Sequence, residues 1–146
     1  MTASAANRSY PLVGIALLLV SGLPSAAPRD EAAMTALGQS IVEAAAAGQL
    51  DTAFTTAASI GDPRDPALPM TLDAQRQSLT PVIASLGVPE GRVRLMPIEA
   101  TIFSSCMNRE YRAVYAGGEQ RWRLKFRRLS SGWALADVDV RSEPSG

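Results

Sequence analysis

The chain has 146 residues, 47% of them apolar and 19% charged, with 14 basic and 14 acidic side chains that cancel. That is enough for one ordinary domain with a buried core, and the zero net charge argues against nucleic acid as a partner. Histidine is absent and Cys106 is the only cysteine, which excludes Ser-His-Asp and Cys-His nucleophiles, histidine-ligated metals and an intrachain disulfide.

Residues 1–27 carry Arg8, an apolar run over 12–20, the breakers Gly22 and Pro24, and then Ser25-Ala26-Ala27. A basic start, a short apolar centre and small residues at its end are the layout of a signal peptide. The run falls short of the roughly 20 apolar residues of a spanning helix. Export is the expectation, to the bacterial periplasm or outside the cell. Pro28 is awkward directly after a cleavage point, so an uncleaved membrane anchor is the alternative. Residues 28–146 then form a single domain.

From Glu31 the spacing of Met34, Leu37, Ile41 and Ala44 or Ala45 predicts a helix. Asp30 and Glu31 suit its start, and Gly48 suits a left-handed end. Asp51 can cap a second, short helix with Phe54 turned inward. Pro63, Pro66 and Pro69 follow in GDPRDPALPM, which predicts an extended, polyproline-like crossing at 61–70. A third helical piece begins after Thr71. Thr80-Pro81 reads as a fresh start, and that helix closes on Gly87.

From Arg92 the period drops to two. Charge shifts as well: residues 28–90 hold three arginines against eight acids, residues 91–146 ten basic residues against six acids. The fold class is α+β, N-terminal helices packed on a curved four-stranded antiparallel meander. The first strand, VRLMPIEATIFS, needs a bulge at Met96-Pro97 to keep Val93 and Leu95 in phase with Ile98, Ala100 and Ile102. A Gly117-Gly118 corner places Ala113 opposite Trp122, Tyr111 opposite Leu124, Glu110 opposite Lys125 and Arg112 opposite Arg123. A three-residue loop ending in Gly132 places Lys125 opposite Asp137, Arg123 opposite Asp139, and Arg127 opposite Leu135. Trp122, Leu124 and Phe126 then share the dry side with Val140, Val138 and Ala136.

RWRLKFRR, residues 121–128, is accordingly one strand with a dry and a wet side. Arg112, Arg121, Arg123, Lys125 and Arg127 form a charged face that an anionic partner could use. No exposed aromatic platform is left for stacking bases. Cys106-Met107 and Met96 offer soft sulfur, but in no metal-ligand spacing and without histidine.

Helices followed by a meander that ends in SSGWALADVDVR, with Gly132-Trp133 opening the last strand, resemble the cone-shaped nuclear transport factor 2-like superfamily. The resemblance implies a sheet curled around helices, a pocket for a small ligand and homodimers through the outer sheet face. The superfamily includes ketosteroid isomerase and scytalone dehydratase beside members with no catalytic role. Tyr111, Tyr115, Trp122, Leu124 and Phe126 are the ligand-pocket candidates. The expected function is a small exported non-catalytic domain binding an apolar ligand or a protein partner, with no cofactor or metal. The alternative is an isomerase- or dehydratase-like enzyme pairing a carboxylate with Tyr111 or Tyr115. A base is hard to find for it: Glu99, Asp137 and Asp139 project to the charged face, and Asp51 and Asp73 sit at helix starts.

Overall fold

A computed structural model describes residues 30–97 and 105–145. The expected signal peptide, Glu99 and the second half of the expected first strand lie outside the described residues. Three helices, α1 (Glu31–Ala46), α2 (Leu50–Ser59) and α3 (Leu68–Leu86), precede four strands, β1 (Arg94–Leu95), β2 (Cys106–Tyr115), β3 (Gly118–Leu129) and β4 (Gly132–Pro144). The strands form one sheet in the order β1-β2-β3-β4, each pair antiparallel. This is the α+β meander that the change of period implies.

The start of α1 is held by Asp30, whose carboxylate accepts from Ala33 N at 2.7 Å. Met34, Gly38, Ile41, Val42 and Ala45 form its buried stripe, and Gly48 follows it at φ 83°. The second helix begins at Leu50, so Asp51 lies inside its first turn and pairs with Arg76 at 3.2 Å instead of capping. Phe54 packs inward, its ring 5.9 Å from that of Trp122.

The proline-rich segment does not cross in an extended form. Asp65 N donates to Asp62 O at 3.1 Å and Leu68 N to Asp65 O at 3.3 Å, making two successive turns. Each Asp-Pro pair carries one: the Asp62 and Asp65 carboxylates also accept from Arg64 N and Ala67 N. Side-chain acceptance two residues ahead, with proline's φ preset, selects a turn over polyproline geometry. Leu68, Pro69 and Met70 belong to α3, with Pro69 in its first turn.

The third helix also runs unbroken through Pro81, where the sequence predicts a restart. Pro81 cannot donate to the Gln77 carbonyl, but both residues lie on the exposed face, so water can serve that group. Leu72, Leu79 and Leu86 recur every seven residues on the buried side, and one continuous helix keeps all three in the core.

The glycine corners place the faces correctly but not every pair. Tyr115 and Gly118 flank an Ala116-Gly117 turn, so Tyr111 opposes Trp122, Glu110 opposes Arg123 and Arg112 opposes Arg121. The pairing is displaced by two residues from expectation, which preserves every face. Gly118 is needed in the strand itself: a Cβ there would come within 2.8 Å of Pro144 Cα. At the next corner the loop is only Ser130-Ser131, and the irregularity falls at Ala136 inside β4. Asp137 and Asp139 keep their expected partners. Beyond the bulge, Phe126 opposes Leu135 and Arg128 opposes Trp133. Leu135 and Trp133, which the longer loop would leave on the charged side, are thereby 0% and 8% exposed. A buried leucine and tryptophan repay a broken ladder step at about 1.5–3 kcal/mol each.

Candidate functional site

Every inward-facing candidate lies in one cluster. Tyr111, Trp122, Leu124 and Phe126 are 0% exposed and Tyr115 is 2%. They pack against Met34, Ile41, Phe54 and Leu72 from the helices. Their polar handles are used within the protein. Tyr111 Oη donates to Thr35 O at 2.7 Å. Tyr115 Oη and Trp122 Nε1 both donate to Gln120 Oε1, at 3.2 and 3.1 Å, and Gln120 Nε2 donates to Ser142 Oγ at 3.1 Å. Burial pushes both tyrosines up to about 12, so each stays protonated at ordinary pH. An oxyanion donor must have a proton to offer to a substrate; these two are committed to protein acceptors. Asp137 and Asp139 stand on the outer face, and Asp73 binds Arg76 at 2.9 Å. No described carboxylate reaches either phenol.

Gln120 is one inward residue that sequence reasoning passed over. A buried amide on the dry side of a strand is a visible break in alternation, and here it supplies the acceptor that a buried tyrosine and tryptophan both require.

The outer face collects the charges. Arg121, Arg123 and Arg127 are 47%, 53% and 41% exposed along β3, and with Lys125 they repeat about every 6.8 Å. Arg112 and Arg121, which oppose one another, share Glu119: Arg112 Nε donates at 2.6 Å and Arg121 Nε at 3.3 Å. The Arg112 bond chiefly holds the Glu119 carboxyl below its ordinary value. Arg123 reaches Glu110 only at 3.8 Å. Among the described residues no ion pair forms at Lys125, although Asp137 stands opposite. With Arg94 and Arg141 added, cations outnumber Glu110, Glu119, Asp137, Asp139 and Glu143 on this face.

A third constellation ties helices to sheet. Asp62 has a fully buried side chain that accepts from Arg64 N at 2.9 Å, Arg64 Nε at 3.1 Å and Arg127 Nη1 at 3.1 Å. Those bonds, Arg64's above all, pull its pKa to about 2. Asp62 N donates to Leu135 O and Leu135 N to Ile60 O, at 2.8 and 2.7 Å, beside the β4 bulge. These bonds join the segment after α2 to β3 and β4, which makes this a structural clasp. Arg127 therefore serves both the clasp and the outer face.

Cys106 projects outward opposite Arg127, while Met107 next to it is buried, so the two sulfurs serve opposite faces. Among the described residues no three His, Cys, Asp or Glu side chains gather to hold a metal ion. No described helix is long and apolar enough to cross a membrane. No protein-family model, curated protein or solved structure matches the chain.

Proposed function

We propose that the chain is an exported, non-catalytic domain of the nuclear transport factor 2-like type that binds an acidic protein partner on the outer face of its sheet. One contrast carries this reading. The five side chains that would line an internal ligand pocket are 0–2% exposed, whereas the β3 cations on the opposite side are about half exposed. The inner face is occupied by the protein's own packing, and the outer face offers unspent charge. The order of helices and meander supports the superfamily assignment, and the N-terminal 27 residues support export. Exposed intrachain pairs contribute about 0.2–1 kcal/mol each, so a partner's carboxylates can replace Glu110 on Arg123 at little cost and engage Lys125 without displacing an ion pair of the described residues.

Titration with a glutamate-rich peptide tests this by fluorescence anisotropy at low and physiological salt. Binding is expected to weaken steadily with salt. The double reversal R123E/K125E, placed on the solvated side, should lower affinity at least about tenfold, equivalent to about 1.4 kcal/mol. A peptide that binds the reversed variant equally well, or a basic peptide that binds as well as the acidic one, sinks the reading. Dimerisation through the same face would appear as a concentration-dependent mass that the reversal abolishes.

A further inference from the structure

Arg109 breaks the alternation of β2. It is in phase with Met107, Tyr111 and Ala113, which are 6%, 0% and 2% exposed, and it opposes Leu124 at 0%. A guanidinium on the dry side of a sheet calls for a partner on the element packed against it. Arg109 Nε donates to Thr35 Oγ1 at 3.0 Å and Nη1 to the Asn108 carbonyl at 3.0 Å. Among the described residues its only carboxylate is Glu31, at 3.8 Å and itself 64% exposed. That distance is beyond a hydrogen bond, so much of a five-donor fork remains unspent. The side chain borders an open groove of about 580 Å3 between the start of α1 and the strands, where Ala32, Ala36 and Leu95 form the apolar wall. Leu95 is 45% exposed, one of the few large apolar side chains facing solvent.

We propose that this groove binds an amphiphilic monocarboxylate, its carboxylate on the Arg109 fork and its hydrocarbon chain along Leu95, Ala32 and Ala36. Arginine's planar donors match a carboxylate bidentately. The groove's size lies within the ≈ 300–1,000 Å3 range of small-molecule sites. Arg109 offers one positive charge, so a single carboxylate that takes the place of the exposed Glu31 side chain neutralises the fork, whereas a dianionic phosphate exceeds it. Glu31 becomes a competitor that the ligand displaces. The site lies on the opposite side of the sheet from the β3 cations and stands or falls independently of them.

Sodium octanoate is the probe, titrated into the full chain and followed by amide and side-chain shifts in two-dimensional NMR. Octanol and octylammonium test the headgroup. Saturable shifts are expected at Thr35, Leu95 and Arg109 with octanoate, and at least tenfold weaker binding with either control. R109M, which keeps an unbranched apolar stem and removes the donor fork, should lose octanoate binding by at least tenfold. E31Q should tighten it several-fold, because the competing charge is gone. A purely structural Arg109 would not produce that gain, and E31Q keeps the test alive if R109M misfolds. The proposal is overturned by octanol binding as tightly as octanoate, by an unchanged affinity in R109M or E31Q, or by shifts confined to another surface.

Discussion

Replacing Gly38 by alanine inverts an ordinary rule. In an exposed helix interior, glycine to alanine stabilises by about 1 kcal/mol because alanine restricts the unfolded chain and suits the helix. Gly38 lies on the buried stripe of α1, directly over Tyr111. A Cβ added there would sit 2.9 Å from Tyr111 Cζ and closer still to the hydroxyl oxygen, where real Cβ atoms do not go. The helix must lift or the tyrosine must swing, and either movement breaks the 2.7 Å bond to Thr35 O. Leaving a buried hydroxyl without its acceptor costs about 1–3 kcal/mol, and overpacking a full core adds about 1–3 kcal/mol. Set against the helical gain, G38A should be less stable than wild type by about 1–5 kcal/mol. Urea unfolding followed by tryptophan fluorescence measures this, since Trp122 lies opposite Tyr111. Combining G38A with Y111F removes the nearest atom of the clash, so the two costs should fall short of additivity by about 1 kcal/mol or more. A G38A protein at least as stable as wild type would refute the packing of α1 on β2.

Asp62 makes a prediction in pH. Its folded pKa of about 2 lies below the ordinary 3.8, so the clasp's contribution is full above about pH 4 and fades as pH falls toward 2. D62N should be weaker than wild type at neutral pH, and thermal melts across pH 5 to 2 should show the gap closing; a constant gap would remove the carboxylate from the account. Pro81 gives a test of helix continuity. An interior proline costs up to about 3 kcal/mol relative to alanine, whereas a proline opening a fresh helix costs little, so P81A should raise stability by about 1–3 kcal/mol in urea. An unchanged midpoint would favour two helices meeting at Thr80.

The faces of the sheet were legible in sequence because strand alternation has period two and the glycine corners anchor it. Trp122 faces the helices and Arg123 faces water, although the β2–β3 pairing slips by two. The slip was not legible: Gly117 and Gly118 suit a turn equally well by local chemistry, and the choice rests on Gly118 packing against the end of β4, a contact distant in sequence. Ala136 teaches the same lesson. Nothing local marks it as a bulge; the demand comes from Trp133 and Leu135 both needing the core. Pro81 misleads because its backbone cost is visible in sequence while the burial of Leu79 and Leu86 that outweighs it is tertiary. The candidate aromatics were found because they alternate. Arg109 and Gln120 were missed because polar residues on a dry face are conspicuous only after the strand's phase is extended through them.

The edges of the sheet explain why a partner would meet its face. An unpaired strand edge is a template for further pairing, and β4 is a long last strand. Near its start, the Leu135 carbonyl accepts from Asp62 N and the Leu135 amide donates to Ile60 O, and the neighbouring bulge twists the ladder. Farther along, the Gln75 side-chain amide caps the Val138 carbonyl, and the strand ends at Pro144, which has no N–H to donate. That cap is retained at a cost, since Gln75 Oε1 is buried without a partner among the described residues. On the other side β1 is only two residues long, and the Val93 carbonyl just before it is bonded by Gln39 at 2.7 Å. Devices that stop strand addition at both ends leave the broad charged surface of β2, β3 and β4 as the sheet's open side. The same clasp that closes the β4 edge uses Arg127, so a partner drawing Arg127 away from Asp62 would loosen that edge as it bound. Hydrogen exchange at the Leu135 amide reads this directly: it should quicken when an acidic peptide occupies the face, and unaltered protection would separate the clasp from the binding surface.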